Sequence, residues 1–242
     1  MDDAKLSFEL HSHSQIMSVH STSTSSNSLC ESGPGTIIQG RYEIVEAIGP
    51  GLRWDHCFKG IDRELGDNVI VKVARYGNVI GQIDALQKSA ASLETIHHPG
   101  LAELRHFGRS GDDVYAVEKW IVGPTFLNIK RCFPQIELRH ARPILAHLAS
   151  GFDALIGRQW SYPFELELNE ILVSFQDPAQ ENTWRESDTH GWGDIHVKFN
   201  PLGISSSSTS PQNDEFRRQM VTNYARIVYD LLGGDRHRES YR

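Results

Sequence analysis

The sequence is poor in cysteine, has no long apolar run and shows no excess of basic residues. Its 242 residues include Cys30, Cys57 and Cys132 without a CxxC spacing, which argues against a disulfide framework and for a reducing compartment such as the cytoplasm. The chain contains no run of about eighteen apolar residues and no apolar segment near its start, so we expect neither a membrane span nor a secretory signal. The net charge of −7 does not favour binding to nucleic acid or to an anionic membrane.

Three polar stretches interrupt the chain. Residues 1–36 are rich in serine and threonine and have little to bury, so they predict a disordered tail. This tail is either a plain linker or a segment rich in phosphorylation sites. A polar insert is expected at 176–193, and a serine tract predicts a disordered loop at 205–214.

Short apolar segments separated by turn residues follow the tail. They predict five antiparallel strands with one helix between the third and the fourth. The predicted strands are 42–48, 56–61, 69–73, 101–106 and 114–120, and the predicted helix is 82–96. We expect these elements to form one lobe, at 37–122.

The second half of the chain is predicted to be mainly helical. Apolar residues spaced by three and four predict two long helices, and two short strands flank the polar insert. The helices are expected at 144–156 and 214–232, with Pro143 in a first turn, and the strands at 170–174 and 196–199. The fold class is therefore α+β, with a second lobe at 123–242.

The order of elements carries recognisable motifs. Residues 69–72 read Val-Ile-Val-Lys, which places a lysine inside an apolar strand, and Gly49 and Gly51 form a turn upstream. His-His-Pro at 97–99 follows the predicted helix. A sheet lobe, a hinge and a helical lobe with these motifs resemble the eukaryotic-type protein kinase superfamily, in the form of a degenerate, pseudokinase-like Ser/Thr kinase domain.

The resemblance implies a two-lobe fold with a five-stranded sheet and a shortened helical lobe. It implies ATP as a candidate cofactor, with Lys72, Gly49 and Gly51 on the phosphate side of a nucleotide site. Glu118 and Trp120 fall in the hinge that would meet the base, with Val117 near the gatekeeper position. Trp54 stands where the family has the third glycine of its phosphate-covering loop, so a bulky ring replaces open backbone.

The catalytic positions depart from the family pattern. Ser89 occupies the position of the lysine-pairing glutamate, Glu167 that of a catalytic-loop lysine, and Pro201 that of the metal-binding aspartate. Glu165 stands at the position of the catalytic base and is the candidate catalytic residue. Glu170 stands at the position of the metal-binding asparagine and is the candidate metal ligand.

The losses weaken magnesium binding as well as catalysis. Proline offers no ligand, so a magnesium site would have to be rebuilt from Glu170 and an inward-turned Asn200. We therefore expect a regulatory or scaffold module that engages a protein partner and binds ATP without efficient phosphoryl transfer. The alternatives are a divergent active kinase that uses Glu165 and Glu170, and a structural segment of a larger protein. In the second case, either more chain or a partner would cover Ile227, Val228 and Leu231.

Overall fold

The computed structural model describes residues 28–51, 54–134, 136–157, 166–175, 184–185, 195–202 and 213–234. In the first half, a six-stranded antiparallel sheet has the order β1-β2-β3-β4-β6-β5. The strands are β1 (Ile37–Ile38), β2 (Tyr42–Gly49), β3 (His56–Asp62), β4 (Asn68–Arg75), β5 (Leu104–Ser110) and β6 (Asp113–Lys119). Two helices, α1 (Tyr76–Val79) and α2 (Ile83–Glu94), connect β4 to β5. The predicted α+β class is confirmed.

The sheet has one strand more than the five predicted. The additional strand β1 pairs with β2 through Ile37 with Glu43 and Ile38 with Tyr42. Two residues are too short for an alternating pattern, so the sequence carries no signal for this strand. The turn between β5 and β6 is also tighter than predicted, because β5 continues to Ser110 and only Gly111 and Asp112 remain between the strands.

Alternating residues of β4 pack on opposite faces of the sheet. Val69, Val71 and Val73 are buried on one face of the sheet, in a cluster with Tyr115 and Val117. The intervening residues of β4, including Lys72, face the other side. Because the side chains of a strand point alternately to opposite faces, this register fixes which residues look toward the cleft described below.

A short segment before β1 covers the first of these faces. Leu29 and Cys30 lie in a 3-10 turn, Leu29–Glu31, and both are buried in the same cluster as Tyr115. Their backbone N–H groups and the Ser28 hydroxyl all donate to the buried carboxylate of Asp113, with a Ser28 Oγ–Asp113 Oδ2 distance of 2.7 Å. Of the predicted disordered tail, residues 1–27 lie outside the described residues, whereas 28–36 are held against the sheet.

Replacing Asp113 with alanine is expected to lower the free energy of unfolding by about 2 kcal/mol or more, because buried N–H donors lose their acceptor. Hydrogen exchange at Leu29 and Cys30 should accelerate in the same variant. Chemical denaturation and hydrogen-exchange mass spectrometry measure the two effects. The matched control is Asp112→Ala, whose carboxylate is 94% exposed. Equal stability of the two variants would contradict this anchoring role.

The second half combines three helices with a small two-stranded sheet. The helices are α3 (Phe126–Cys132), α4 (Leu138–Gly157) and α5 (Asn213–Leu231), and the strands are β7 (Ile171–Phe175) and β8 (Ile195–Phe199). The strands pair antiparallel, with Ile171 opposite Phe199. Helix α4 packs on β8, where the rings of Phe152 and Phe199 lie 4.9 Å apart. Trp184, inside the predicted polar insert, is buried in the same core.

Two sequence-based expectations for the helices were wrong. Helix α4 begins at Leu138, so Pro143 lies within the helix and not in a first turn. Of the three α5 residues expected under a partner, Ile227 and Leu231 are buried by the chain itself, whereas Val228 is half-buried and lines an open pocket with Tyr224 and Leu232. Residues 205–212 of the predicted loop lie outside the described residues. In the described ranges, no helix combines the length and the apolar character that crossing a membrane requires.

Candidate functional site

A cleft of about 410 Å³ lies between the six-stranded sheet and the β7–β8 hairpin. Strands β2, β3, β4 and β6 line it from above, and residues next to β7 and β8 line it from below. Its walls include the predicted site residues Gly51, Lys72, Glu118, Trp120 and Glu170. Gly49, also predicted, does not line the cleft.

Lys72 is held in the cleft by Glu118 of the neighbouring strand. In the β4–β6 register, Ile70 is opposite Glu118 and Lys72 is opposite Ala116, so the two charged side chains are diagonal neighbours on one face. The Lys72 Nζ lies 2.8 Å from one oxygen of the Glu118 carboxylate and 3.0 Å from the other. Glu118 is only 3% exposed and the Lys72 side chain 18%, so the ion pair is largely buried.

The ion pair decides the charge state of Lys72. Burial by itself lowers the pKa of the ammonium group, but the charge and the hydrogen bond of Glu118 outweigh this effect and raise the pKa above its usual value. Lys72 therefore stays protonated, with its charge balanced by Glu118. Asn200 adds to the arrangement, because its side-chain amide also donates to Glu118.

The position predicted for the partner of Lys72 holds no carboxylate. Ser89 lies on the buried face of α2, beside Ala90 and Leu93 in sequence. The sequence had placed Glu118 in the hinge and Val117 near the gatekeeper position. The structure instead directs Glu118 into the cleft and buries Val117 in the core on the opposite face of the sheet. The strand register is the signal that would have found this pair.

A tryptophan closes the loop between β2 and β3. Trp54 is buried and lines the cleft, and its carbonyl accepts a hydrogen bond from the Gly51 N–H at 3.0 Å. A Cβ atom at Gly51 would lie 2.8 Å from the Cys57 Sγ, so a side chain there would force the thiol or the loop to shift. A buried indole thus stands where the resemblance would place an open glycine backbone.

Cys57 lines the same cleft, where burial raises the pKa of its thiol to about 11. At pH 8 only about one thiol in a thousand is then ionised, and the thiolate is the reactive form. We expect iodoacetamide to label the exposed Cys132 well before Cys57 in the native protein. Peptide mass spectrometry over a time course measures this order. Equal labelling rates would contradict the burial of Cys57, and labelling in denaturant provides the control.

The candidate magnesium ligands in the lower wall of the cleft are engaged with neighbouring groups. Glu170 lines the cleft, and one of its oxygens accepts the Glu167 N–H at 2.9 Å. Asn200 turns toward the cleft, but its amide nitrogen faces Glu118 and its oxygen accepts the Leu202 N–H at 2.7 Å. Pro201 is buried and offers no ligand. Across the described ranges, no three histidine, cysteine or acidic side chains form a metal-binding group.

Two predicted site residues remain, Trp120 and Glu165. Trp120 lines the cleft, but its backbone N–H donates to the Asn68 carbonyl at 3.0 Å and is engaged within the sheet lobe. Glu165, the candidate base, lies outside the described residues. Beyond Trp120, Gly123 has a φ of +141° and passes directly over β7.

The structure has a curled antiparallel sheet with one main helix, a short connection and a helical lobe. Together these elements enclose a cleft that contains a lysine, and they define a protein-kinase-like fold. No protein-family model matches the chain. Among curated proteins, it is 23% identical to the serine/threonine-protein kinase RAD53 of Saccharomyces cerevisiae over 228 residues, and 26% identical to the serine/threonine-protein kinase pkn2 of Myxococcus xanthus over 121 residues. These alignments cover 93% and 49% of the chain, but only 25% and 14% of the two relatives.

Solved structures agree with the fold. The crystal structure of Rad53 1-466 in complex with AMP-PNP superposes with a TM-score of 0.59 at 20% identity, over 81% of this chain and 48% of that one. The kinase domain of PknI from Mycobacterium tuberculosis superposes with a TM-score of 0.62 at 12% identity, over 84% of this chain and 78% of that one. The chain thus has a protein-kinase-like two-lobe fold and is similar in sequence, at low identity, to Ser/Thr protein kinases.

Proposed function

We propose that the chain is a pseudokinase-like binding module, whose cleft holds a nucleotide-type ligand without efficient phosphoryl transfer. The observation that carries the proposal is in the lower wall of the cleft, where the candidate metal ligands Glu170 and Asn200 accept the N–H groups of Glu167 and Leu202. Phosphoryl transfer needs metal ions that position and neutralise the transferred phosphate, and both candidate ligands are already engaged within the protein. The solved complex of Rad53 with AMP-PNP supports a nucleotide-type ligand for this fold.

The other catalytic positions point the same way. The metal-binding aspartate position holds Pro201, and Glu167 carries a negative charge where a transferred phosphate would be repelled. Without magnesium between the phosphates, the charge that develops in the transition state has no counterion. A regulatory or scaffold role, exercised through a protein partner in the cytoplasm, is the function that such a module would serve.

A divergent active kinase is the competing function. It is favoured by the position of Glu170, which lines the cleft and contributes to the electrostatic environment of Lys72. In that case Glu170 would hold the metal and Glu165 would serve as the base. Its activity would have to depend on both carboxylates.

One set of assays on the purified chain distinguishes the two proposed functions. ATP is titrated with and without Mg²⁺ or Mn²⁺ while the melting temperature is followed, and transfer of the γ-phosphate is measured in parallel. A ligand at one hundred times its dissociation constant adds about 2.7 kcal/mol of stability, which is readily detected. We expect no metal-dependent shift in the melting temperature and no transfer of the γ-phosphate. Transfer that is lost in Lys72→Ala, Glu165→Gln and Glu170→Gln would establish the active kinase instead.

A further inference from the structure

Several donor groups beside the six-stranded sheet converge on a single buried carboxylate. The Ser28 hydroxyl donates at 2.7 Å, and it is joined by the N–H groups of Leu29 and Cys30 and by the Cys30 thiol. Their common acceptor is Asp113, which is 1% exposed. We infer that Ser28 is a phosphorylation site for a separate protein kinase, and that phosphate at Ser28 releases residues 28–34, the strap, from the sheet.

The strap is attached at Asp113 and can pivot at its other end. Its two buried side chains lie in the core cluster of the sheet, where the turn packs on β4. Gly35 is bonded to the sheet independently of Asp113, because its N–H donates to the Ile44 carbonyl at 2.8 Å. Between these two points, a Cβ atom at Gly33 would meet nothing within 4 Å, so the chain there has room to move. The strap can therefore leave the sheet while β1 stays paired with β2.

A phosphate on Ser28 would remove the bond to Asp113 and replace it with repulsion. The esterified oxygen has no proton to donate, and phosphoserine carries about 1.5–2 negative charges near neutral pH. Next to a carboxylate, such a group disrupts packing through like-charge repulsion. Arg75 supplies a nearby cation, since it lies opposite Asp113 in the register of β4 and β6. Its single charge cannot balance the phosphate and Asp113 together.

The docked turn offers the phosphate little compensation. A helix N-terminus can stabilise an anion through its dipole and its free N–H groups. The turn Leu29–Glu31 has only three residues, and the N–H groups of Leu29 and Cys30 already donate to Asp113. In the released strap, the same N–H groups are free to donate to the phosphate. Phosphorylation thus favours the released strap as well as opposing the docked one.

The phosphate would enter while the strap is open. Ser28 is half-buried and the two residues after it are buried, so a modifying enzyme can bind this segment only after it has left the sheet. In the transfer, the Ser28 Oγ forms a bond to the γ-phosphorus of ATP, and the bond from that phosphorus to the β–γ bridging oxygen breaks. ADP leaves, and the hydroxyl proton passes to a base of the enzyme. Because the phosphorylated strap binds the sheet less tightly, the modification shifts the population toward the open form.

Release of the strap would also expose a thiol. In the docked strap, burial and the neighbouring Asp113 raise the pKa of Cys30, which keeps its thiol unreactive. Both causes disappear when the strap leaves the sheet. Cys57 is buried in the cleft, in the core on the other face of the sheet, and is unaffected. The reactivity of Cys30 relative to that of Cys57 therefore reports the position of the strap.

The test uses the full chain with Ser28 phosphorylated during translation, by genetic code expansion. Hydrogen exchange at Leu29 and Cys30 should become at least about thirtyfold faster than in the unmodified chain, because like charges in close contact repel strongly. Labelling of Cys30 by N-ethylmaleimide should accelerate in parallel, whereas labelling of Cys57 should not change. Peptide mass spectrometry of the chain isolated from its own cells should find phosphate on Ser28.

Two controls separate the effect of the phosphate from other causes. Ser28→Ala loses the hydrogen bond to Asp113 without adding a charge, so it should give no more than about a third of the acceleration. Phosphorylated Ser92, on the exposed surface of α2, adds the same charge elsewhere and should leave the strap protected.

Four results would overturn the inference. Exchange that is unchanged or slower with phosphorylated Ser28 would show that the docked strap accepts the phosphate, for example through Arg75. Acceleration equal to that of Ser28→Ala would show that the phosphate charge has no part in the release. Loss of protection throughout β3 and β4 would mean general unfolding instead of release of the strap. Absence of phosphate on Ser28 in the chain isolated from its own cells would exclude the modification.

Discussion

Glu118→Ala is expected to lower the free energy of unfolding by about 3–5 kcal/mol, one of the two largest effects predicted for a single substitution in this chain. The substitution leaves the Lys72 ammonium buried beside the cleft without its counterion, and it removes the acceptor of the Asn200 amide. Desolvating an unpaired charge is far more costly than losing a surface ion pair. Denaturation in urea, followed by tryptophan fluorescence, measures the loss.

Two variants control for this interpretation. Glu46→Ala removes an exposed glutamate from β2 and should change stability by no more than about 0.5 kcal/mol. The double variant Lys72→Met/Glu118→Met removes both charges, and it should cost much less than Glu118→Ala because no charge is left unpaired. A loss in Glu118→Ala as small as in Glu46→Ala would mean that Lys72 does not depend on Glu118.

Gly123→Ala is expected to cost about 3 kcal/mol or more, because the substitution is both strained and crowded. Gly123 has a φ of +141°, and an added Cβ would lie 1.9 Å from the carbonyl oxygen of Val173 in β7. The connection between the lobes would have to move away from β7. The hydrogen bond from the Val173 N–H to the Pro124 carbonyl, 3.0 Å long, would be strained or lost.

The control for this prediction separates crowding from backbone strain. Gly66 also has a positive φ, +74°, but a Cβ there would meet no atom within 4 Å. Gly66→Ala should therefore cost only about 1–2 kcal/mol, the strain of the left-handed conformation. If both variants lose the same stability in urea denaturation, close packing of Gly123 on β7 is not what restricts position 123.

The sequence predicted much of the fold because its apolar residues follow the period of each element. Strands β2, β3, β4 and β6 were placed to within two residues at each end, since each combines apolar or β-branched residues with turn signals at its ends. The segment around Leu29 was missed. Its two apolar residues pack into the core of the sheet, and their backbone N–H groups donate to Asp113, which lies 84 positions from Leu29 along the chain.

The candidate site was predicted only in part. Lys72 was identified because a lysine in the middle of an apolar strand is unusual, and the cleft indeed contains it. Its partner was not identified, since Glu118 lies 46 positions along the chain and was assigned to the hinge. The choice between Glu118 and Val117 for the cleft depends on a register of one residue, which exchanges the two faces of a strand.

By itself, the sequence determined the α+β class, the order of sheet and helical lobes, and the absence of the usual residues at Ser89 and Pro201. These features depend on residue type and local periodicity, which can be read from the sequence without the structure. Only the tertiary structure decided that Glu118 neutralises Lys72, that Trp54 is buried beside the cleft, and that Asn200 joins the Lys72–Glu118 pair. Such contacts depend on strand register and on the packing of one lobe against the other, and burial is what makes the resulting charge pair strong enough to define the site.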